Sequence, residues 1–386
     1  MAGRLRRLIT RAVWPDAMSD PERVVCHEWF VHSGGSDQVA AQLARLVEAE
    51  GVNTDSLDES FASRLFHQHG VTAPVVTWRF GRSIGRRSAL LLAIMPLVWK
   101  ALDLRSARLV VTSSHACVNA VAAPHHLSYC HTPMRYAWEW RLERDRLPRW
   151  AQPGMPIVAA VFRLLDRRWA RSVEVHVANS HFVAERIRRA YGVDAIVIPP
   201  PVEVTRFAER PRPVAVGPFL AAGRFVPYKR FDLAIEAANR AGVELVVAGD
   251  GPERERLLRL AGPTVRFDIG PDDERLAQLL TSARALVFCG VEDFGMLPVE
   301  AQAAGTPVIA RGLGGATESV VHGRTGILVD SDRTEDWAAA LTSFDPAEFD
   351  VDVLRAHAAT FGSERFAARL LDPLCAPGAF IARHAR

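Results

Sequence analysis

The sequence predicts an α/β protein made of two parallel-sheet domains in tandem, each sheet covered by helices on both faces. Three observations carry this. Short β-branched runs, Gly- or Ser-bearing turns and helical periods alternate along most of the chain, as in strand–helix–strand units. The alternation stops at Pro199-Pro200-Pro201, a stiff run that cannot continue a strand interior, and then restarts. The chain has 386 residues, more than one ordinary core organises.

In chain order, the first half offers strands at 23–26, 109–112, 126–130, 173–178 and 195–198, with few elements between 53 and 106. The second half offers strands at 219–221, 243–248, 265–268, 285–288, 307–310 and 326–329, and helices at 230–241 and 254–260. These spans divide the chain into an N-terminal domain at 1–205 and a C-terminal domain at 206–362. An amphipathic tail at 363–386 is expected to pack back on the first domain.

Composition is that of a soluble globular protein, with 49% hydrophobic and 24% charged residues. A net charge of +3 gives no argument for a nucleic-acid partner. The five cysteines are odd in number and widely spaced, so reduced thiols in a cytoplasmic protein are expected rather than a disulfide frame or zinc site. Arg4, Arg6, Arg7 and Arg11 are followed by no apolar run, so no cleaved signal peptide is expected, and the apolar stretch 89–99 is too short to span a bilayer.

The most informative segment is Glu292-Asp293-Phe294-Gly295-Met296-Leu297-Pro298-Val299-Glu300, which follows a buried-looking strand and opens a helix. A carboxylate at a strand's C-terminal end lies where open α/β sheets bind ligands, and ionised oxygens accept strong hydrogen bonds from sugar and ribose hydroxyls. Taken alone, the pair reads more readily as a loop acid and a surface helix residue than as a site. Gly223-Arg224 with Lys229 lies between the first strand of the second half and its helix. A glycine there lets the backbone approach a phosphate, and the two cations suit a diphosphate held without metal. Gly249 and Gly251 make a tight strand-to-helix turn, which reads either as a pocket wall or as an ordinary turn. Gly312-Leu313-Gly314-Gly315 lacks a full dinucleotide fingerprint. In the first half, Gly34 and Gly35 precede a helix expected to open at about Asp37, and His131 ends a strand where it could reach a sugar hydroxyl. A lone histidine is nevertheless most often structural. The other histidines show no metal-ligand spacing.

Together these segments resemble the retaining GT-B glycosyltransferases of family GT4, from Gly34-Gly35 to Gly326-Ile327-Leu328-Val329. The strongest match is the pair Glu292 and Glu300 with seven residues between them, followed by Ala304-Gly305-Thr306-Pro307. The resemblance implies two Rossmann-like domains facing across a cleft and transfer of a sugar from a nucleotide-sugar donor with retention of configuration. No cofactor or metal is expected. It implies that Arg224 and Lys229 hold the donor diphosphate, that Glu292 contacts the donor sugar and Glu300 the ribose, and that His131 lies near the sugar and is needed for activity. Phe294, Gly295, Met296 and Leu297, with Gly249 and Gly251, fall among the donor-binding positions, and Gly34 and Gly35 border the phosphates and the acceptor. Many members carry a small residue and Glu after the Gly-Gly pair, where this chain has Ser36-Asp37.

The stretch from Cys130 to Glu139 is similar to bacterial mannosyltransferases of polysaccharide assembly, which favours GDP-mannose, with a UDP-sugar as the alternative donor. A nucleotide-sugar epimerase and a non-catalytic sugar-nucleotide-binding protein are the rival readings. Arginines at 79, 82, 86 and 87 beside the apolar run 89–99, and an Arg- and Trp-rich stretch at 141–171 with an apolar insert at 157–162, suit either an anionic membrane surface or a buried helix with solvated flanks. The first alternative would place the protein peripherally on the inner face of the plasma membrane, with a glycan or lipid-linked acceptor.

Overall fold

The β-branched and apolar runs form two separate parallel sheets in a computed structural model. It describes residues 9–14, 21–31, 34–84, 94–140, 154–207, 210 and 217–375. Residues 1–198 and 367–386 form one compact unit and residues 199–366 a second. The division falls in the proline run, ahead of the 205/206 boundary read from the sequence. It leaves residues 363–366 of the tail with the second unit.

In the first unit the strands are β1 (Arg23–Phe30), β2 (Gly51–Leu57), β3 (Val75–Thr77), β4 (Leu109–Ser114), β5 (His126–Cys130), β6 (Val175–Ala178) and β7 (Ile196–Val197). They lie in the order β3-β2-β1-β4-β5-β6-β7. All pairs are parallel, with Val24 opposite Gly51 on one side and Val110 on the other. The order reverses direction between β1 and β4, which makes the carboxyl ends of those strands the topological switch point. The helices used below are α1 (Gly35–Leu46), α2 (Glu59–His69), α3 (Met95–Ala101), α4 (Met155–Ala170) and α5 (His181–Tyr191). Val24, Cys26 and Val110 pack with Trp14, Trp99 and Trp169 in the larger core cluster of this unit.

The second unit carries β8 (Phe219–Ala222), β9 (Leu245–Gly249), β10 (Val265–Ile269), β11 (Leu286–Phe288), β12 (Val308–Arg311) and β13 (Gly326–Val329), in the order β10-β9-β8-β11-β12-β13. Its switch point lies between β8 and β11. Alternate residues of one strand enter different cores: Phe219 and Ala221 join Val247, Val287 and Trp337, while Leu220 and Ala222 join Ala248, Leu286 and Phe288. Both faces are therefore buried, as a parallel sheet requires. The helices are α6 (Phe231–Ala241), α7 (Arg254–Leu260), α8 (Asp273–Ser282), α9 (Met296–Ala303), α10 (Thr334–Ser343) and α11 (Val351–Ala359), with α12 (Ser363–Cys375) crossing the division between units.

Several sequence expectations shift. The irregular region after residue 53 contains β2 and β3. β2 is fully buried although Asn53, Thr54, Asp55 and Ser56 are polar, so hydrophobic patterning could not reveal it. α1 opens at Gly35 rather than near Asp37, with Gly34 as its extended N-cap. α6 begins one residue later than expected, because Arg230 adopts φ 53° and ψ 41°, a left-handed conformation that cannot join a right-handed helix.

Candidate functional site

The site in the second unit is assembled from turns at the carboxyl ends of β8 and β11, the two strands of its switch point. After β8 the chain passes Gly223 and an exposed Arg224, then makes a short 3₁₀ turn at Pro227–Lys229 before α6. After β11 it passes Gly290 and Glu292 before α9. The Lys229 Nζ donates a 2.7 Å hydrogen bond to Glu292 Oε1, with both side chains less than one-fifth exposed. Two residues 63 positions apart, each singled out by the sequence, thus meet as an ion pair across the switch point.

Glycines make this convergence sterically possible. A Cβ on Gly223 would stand 3.2 Å from Lys229 Nζ, and one on Gly290 would stand 2.7 Å from Lys229 Cα. On the other side, Gly315 N–H donates to Glu292 carbonyl oxygen at 2.8 Å, and a Cβ at Gly315 would come within 2.2 Å of Phe294 Cα. Gly314 and Gly315 therefore clamp the Glu292 turn. Gly249 (φ 142°) and Gly251 serve the same architecture, because their added Cβ atoms would meet Gly223 oxygen at 1.9 Å and Phe225 oxygen at 2.5 Å.

Glu300 lies on α9, half-buried. Burial raises its carboxyl pKa above the ordinary range. Arg206 and Lys229 pull it back, while Asp273 and Glu203 add to the rise. Glu300 is thus electrostatically coupled to Lys229 and shares the neighbourhood of the ion pair. Arg206, Glu203 and Asp273 were missed in the sequence because residues 203–206 read as linker after the prolines. Arg206 is held by its Nη2 donating to Asp273 carbonyl oxygen at 2.6 Å. Gly295 (φ 81°) is the N-cap of α9, and Met296 and Leu297 open it half-buried. The Phe294 side chain is buried in the core against Phe361, with ring centroids 5.6 Å apart, so this position can meet a ligand only through its backbone.

The first unit gathers a polar cluster at its own switch point. His131, directly after β5, is half-buried, and its Nε2 lies 2.8 Å from Ser113 Oγ. Ser113, at the end of β4, also meets the ring of the buried His27. His27 Nδ1 is 3.0 Å from Ser113 Oγ and 3.2 Å from Ser113 carbonyl oxygen. His27 Nε2 faces Asp37 Oδ1 at 3.4 Å. Burial, and then the nearby His27, push the His131 pKa down to about 3, so its ring is neutral at pH 7. Among the described residues, none of the hydrogen bonds of His131 uses Nδ1.

Donor atoms of His27, Glu28 and His115 lie within 4.8 Å of one another, a proximity that sequence spacing did not suggest. Glu28 is committed elsewhere: its carboxylate accepts the backbone N–H groups of His115, Ala116 and Val118 and fixes that loop. The residues read from the sequence fall in two groups. Lys229, Glu292 and Glu300 are brought together in the second unit, with Arg224 on the same turn as Lys229. His131 and Gly34-Gly35 belong to the first, and the preceding His32-Ser33 lie outside the described residues. The cysteines Cys26, Cys117, Cys130 and Cys289 are buried and form no disulfide among the described residues. Among the described residues no helix is long and apolar enough to cross a membrane.

Comparison with known proteins bears on the family and the fold. The family Glycosyltransferase Family 4 matches residues 33–206, and Glycosyl transferases group 1 matches residues 213–345. A D-inositol 3-phosphate glycosyltransferase of Rhodococcus opacus is 32% identical over 235 residues, 51% of this chain and 52% of that protein. The chain thus spans about half the length of the curated relatives it matches. Among solved structures, Anabaena Alr3699/HepE in complex with UDP and glucose superposes with a TM-score of 0.68 at 18% identity, covering 92% of this chain and all of that one. Sucrose-phosphate synthase from Thermosynechococcus elongatus gives a TM-score of 0.72 at 19% identity, covering 93% and 99%. These two likenesses establish a shared fold.

Proposed function

This chain belongs to the GT4-type glycosyltransferases of the GT-B fold, and we propose that it transfers a hexose from a nucleoside-diphosphate sugar to an acceptor hydroxyl with retention of configuration. The observation that carries the proposal is the Lys229–Glu292 ion pair at the switch point of the second sheet, with Glu300 in its electrostatic neighbourhood. A lysine ammonium has three donors, so Lys229 can hold Glu292 and a phosphate oxygen at once. With the exposed Arg224 on the same turn, two positive charges are available to neutralise the leaving diphosphate without a metal ion. Glu292 is then positioned to accept a donor-sugar hydroxyl. Glu300, once ionised, accepts the ribose hydroxyls. The leaving phosphate takes the acceptor's proton.

The stretch from Cys130 to Glu139 favours GDP-mannose as donor. The UDP and glucose in the Anabaena structure support a UDP-sugar as the alternative. The names of the curated relatives make a phosphorylated cyclitol an acceptor worth including. A thermal-shift panel of GDP-, UDP-, ADP- and TDP-sugars tests donor choice, since a ligand bound only by the native state raises apparent stability. Release of nucleoside diphosphate only when acceptor is present supports a transferase. Turnover of donor without acceptor supports an epimerase, and stabilisation with no turnover supports a binding protein.

A second feature favours a lipid-linked acceptor. On α4, Ile157, Val161 and Leu164 are 73%, 51% and 68% exposed, and Arg167, Arg168 and Arg171 follow as exposed cations. An apolar face beside exposed arginines suits the interface of an anionic bilayer. The earlier apolar run divides differently: Met95, Val98 and Trp99 of α3 are buried and Leu97 is exposed, while residues 89–93 lie outside the described set. Co-sedimentation with phosphatidylglycerol vesicles but not with phosphatidylcholine vesicles is the expected result. Equal binding to both, or to neither, would remove the membrane reading.

A further inference from the structure

We propose that the buried pair His27 and Ser113 fixes His131 as the tautomer protonated on Nδ1, so that His131 presents an N–H donor to an oxygen of the substrate and does not act as a base. The direction of the hydrogen bonds follows from the His27 end. The Ser113 carbonyl oxygen can only accept, so the His27 nitrogen 3.2 Å away must carry a proton. That same N–H reaches Ser113 Oγ at 3.0 Å, which leaves the hydroxyl as an acceptor from His27. On the far side of the ring, Asp37 Oδ1 lies 3.4 Å from His27 Nε2 without making a hydrogen bond to it, so the direction rests on the Nδ1 side.

Ser113 has one proton to give. Its Oγ is fully buried with the rest of the side chain, and the other group it meets is His131 Nε2 at 2.8 Å. If His131 donated from Nε2, the serine oxygen would receive two protons and its own O–H would be left without a partner, at a cost of about 1–3 kcal/mol for a buried donor. The arrangement that satisfies every group has Ser113 donating to His131 Nε2. A neutral imidazole with Nε2 as acceptor carries its proton on Nδ1. That is the nitrogen which none of the described hydrogen bonds of His131 uses.

His27 and Ser113 are therefore positioning residues that act through His131. The functional consequence rests on the glycosyl-transfer reading: the Nδ1–H binds a lone pair of a donor-sugar hydroxyl or phosphate oxygen.

The test is a long-range ¹H–¹⁵N correlation spectrum of the full chain labelled in its histidines, recorded without ligand near neutral pH, with His131 assigned by its loss in His131→Gln. A neutral ring with the proton on Nδ1 is expected. A proton on Nε2, or on both nitrogens, overturns the proposal whatever the enzyme's activity. Ser113→Ala, checked for folding by circular dichroism, is expected to shift His131 toward the Nε2-protonated form and to lower kcat about 10- to 100-fold with little change in donor KM. An unchanged tautomer in Ser113→Ala also overturns the proposal. Absence of transfer with every donor would instead defeat the functional reading and leave the tautomer assignment standing.

Discussion

Lys229 and Glu292 neutralise one another, and this governs what their replacement does. Lys229→Ala removes a cation from the leaving group and strands the Glu292 carboxylate beside the incoming phosphates. A fall in kcat/KM on the order of 10²–10³ is expected from steady-state kinetics. Arg224→Ala, which leaves the ion pair intact, is expected to lose about 2–4 kcal/mol of transition-state stabilisation. Glu300 makes a separate prediction. Because burial raises its folded pKa, the native state keeps a proton that the unfolded chain has already lost, so stability falls as pH rises from the ordinary glutamate range through the folded value. Glu300→Gln removes that fall and gains stability relative to the parent above the window, as urea midpoints at several pH values would report. It also loses affinity for the nucleotide. Lys229, Glu292 and His131 stood out in the sequence because each follows a strand end marked by glycine or proline, and Glu300, on the next helix, because of its spacing from Glu292. His27, Ser113 and Arg206 were not, because a buried polar partner is identified only by what the fold places opposite it.

At the scale of elements, α4 is attached to the short helix Arg135–Trp138 by polar contacts. Trp138 Nε1 donates to Asp166 Oδ2 at 2.8 Å, Arg163 Nε donates to Ala137 oxygen at 3.0 Å, and the Arg167 guanidinium stacks 5.0 Å over the Trp138 ring. Burial raises the Asp166 carboxyl to about 7, against the opposing pull of its hydrogen bonds from Trp138 and Tyr191. The folded state therefore holds this proton between about pH 4 and about pH 7, where the unfolded state does not, and stability declines across that window. Asp166→Asn keeps an oxygen for the indole N–H and has no charge to bury. Its stability relative to the parent is expected to increase from about pH 4 to about pH 8, read from paired denaturation curves. The turns are less forgiving. In Gly249→Ala the new methyl would lie 1.9 Å from Gly223 oxygen at a left-handed φ, and a loss of at least about 1–3 kcal/mol is expected by thermal denaturation. Strands β1 and β4 to β13 were readable, most of them from short β-branched or apolar runs. β2 was not: its Thr54 hydroxyl donates to the Glu28 and Ser56 carbonyl oxygens, and Asn53 reaches Cys26, so local polarity concealed a central strand.

Across the whole molecule, each unit has its own sheet, cores and switch point, and the chemistry is divided between them by type. The second unit concentrates charge in Lys229, Glu292, Glu300 and Arg206. The first concentrates enclosed polar groups in His27, Ser113 and His131. Addition of a nucleoside diphosphate alone is expected to slow hydrogen exchange chiefly in residues 223–230 and 290–300, with little change around β2 and β3. Equal protection of both units would contradict this division. The two-unit plan was legible because the Pro199-Pro200-Pro201 run interrupts a repeating pattern. The tail is expected on the first domain from its amphipathic period; the division gives residues 367–386 to the first unit and 363–366 to the second.

The interlocking glycines of the second unit bear on attempts to re-engineer it. Residues 223–230, 249–251, 290–295 and 314–315 fit together with backbone approaches too close for any side chain, so they form one cassette made of four separated pieces. Transplanting the lysine-bearing loop alone into a homologous scaffold would bring in a key without its lock, since Gly290 and Gly249 of this chain are cut to its shape. A chimera that exchanges all four pieces at once should retain donor selectivity. One that exchanges a single piece should lose fold integrity before it acquires a new sugar.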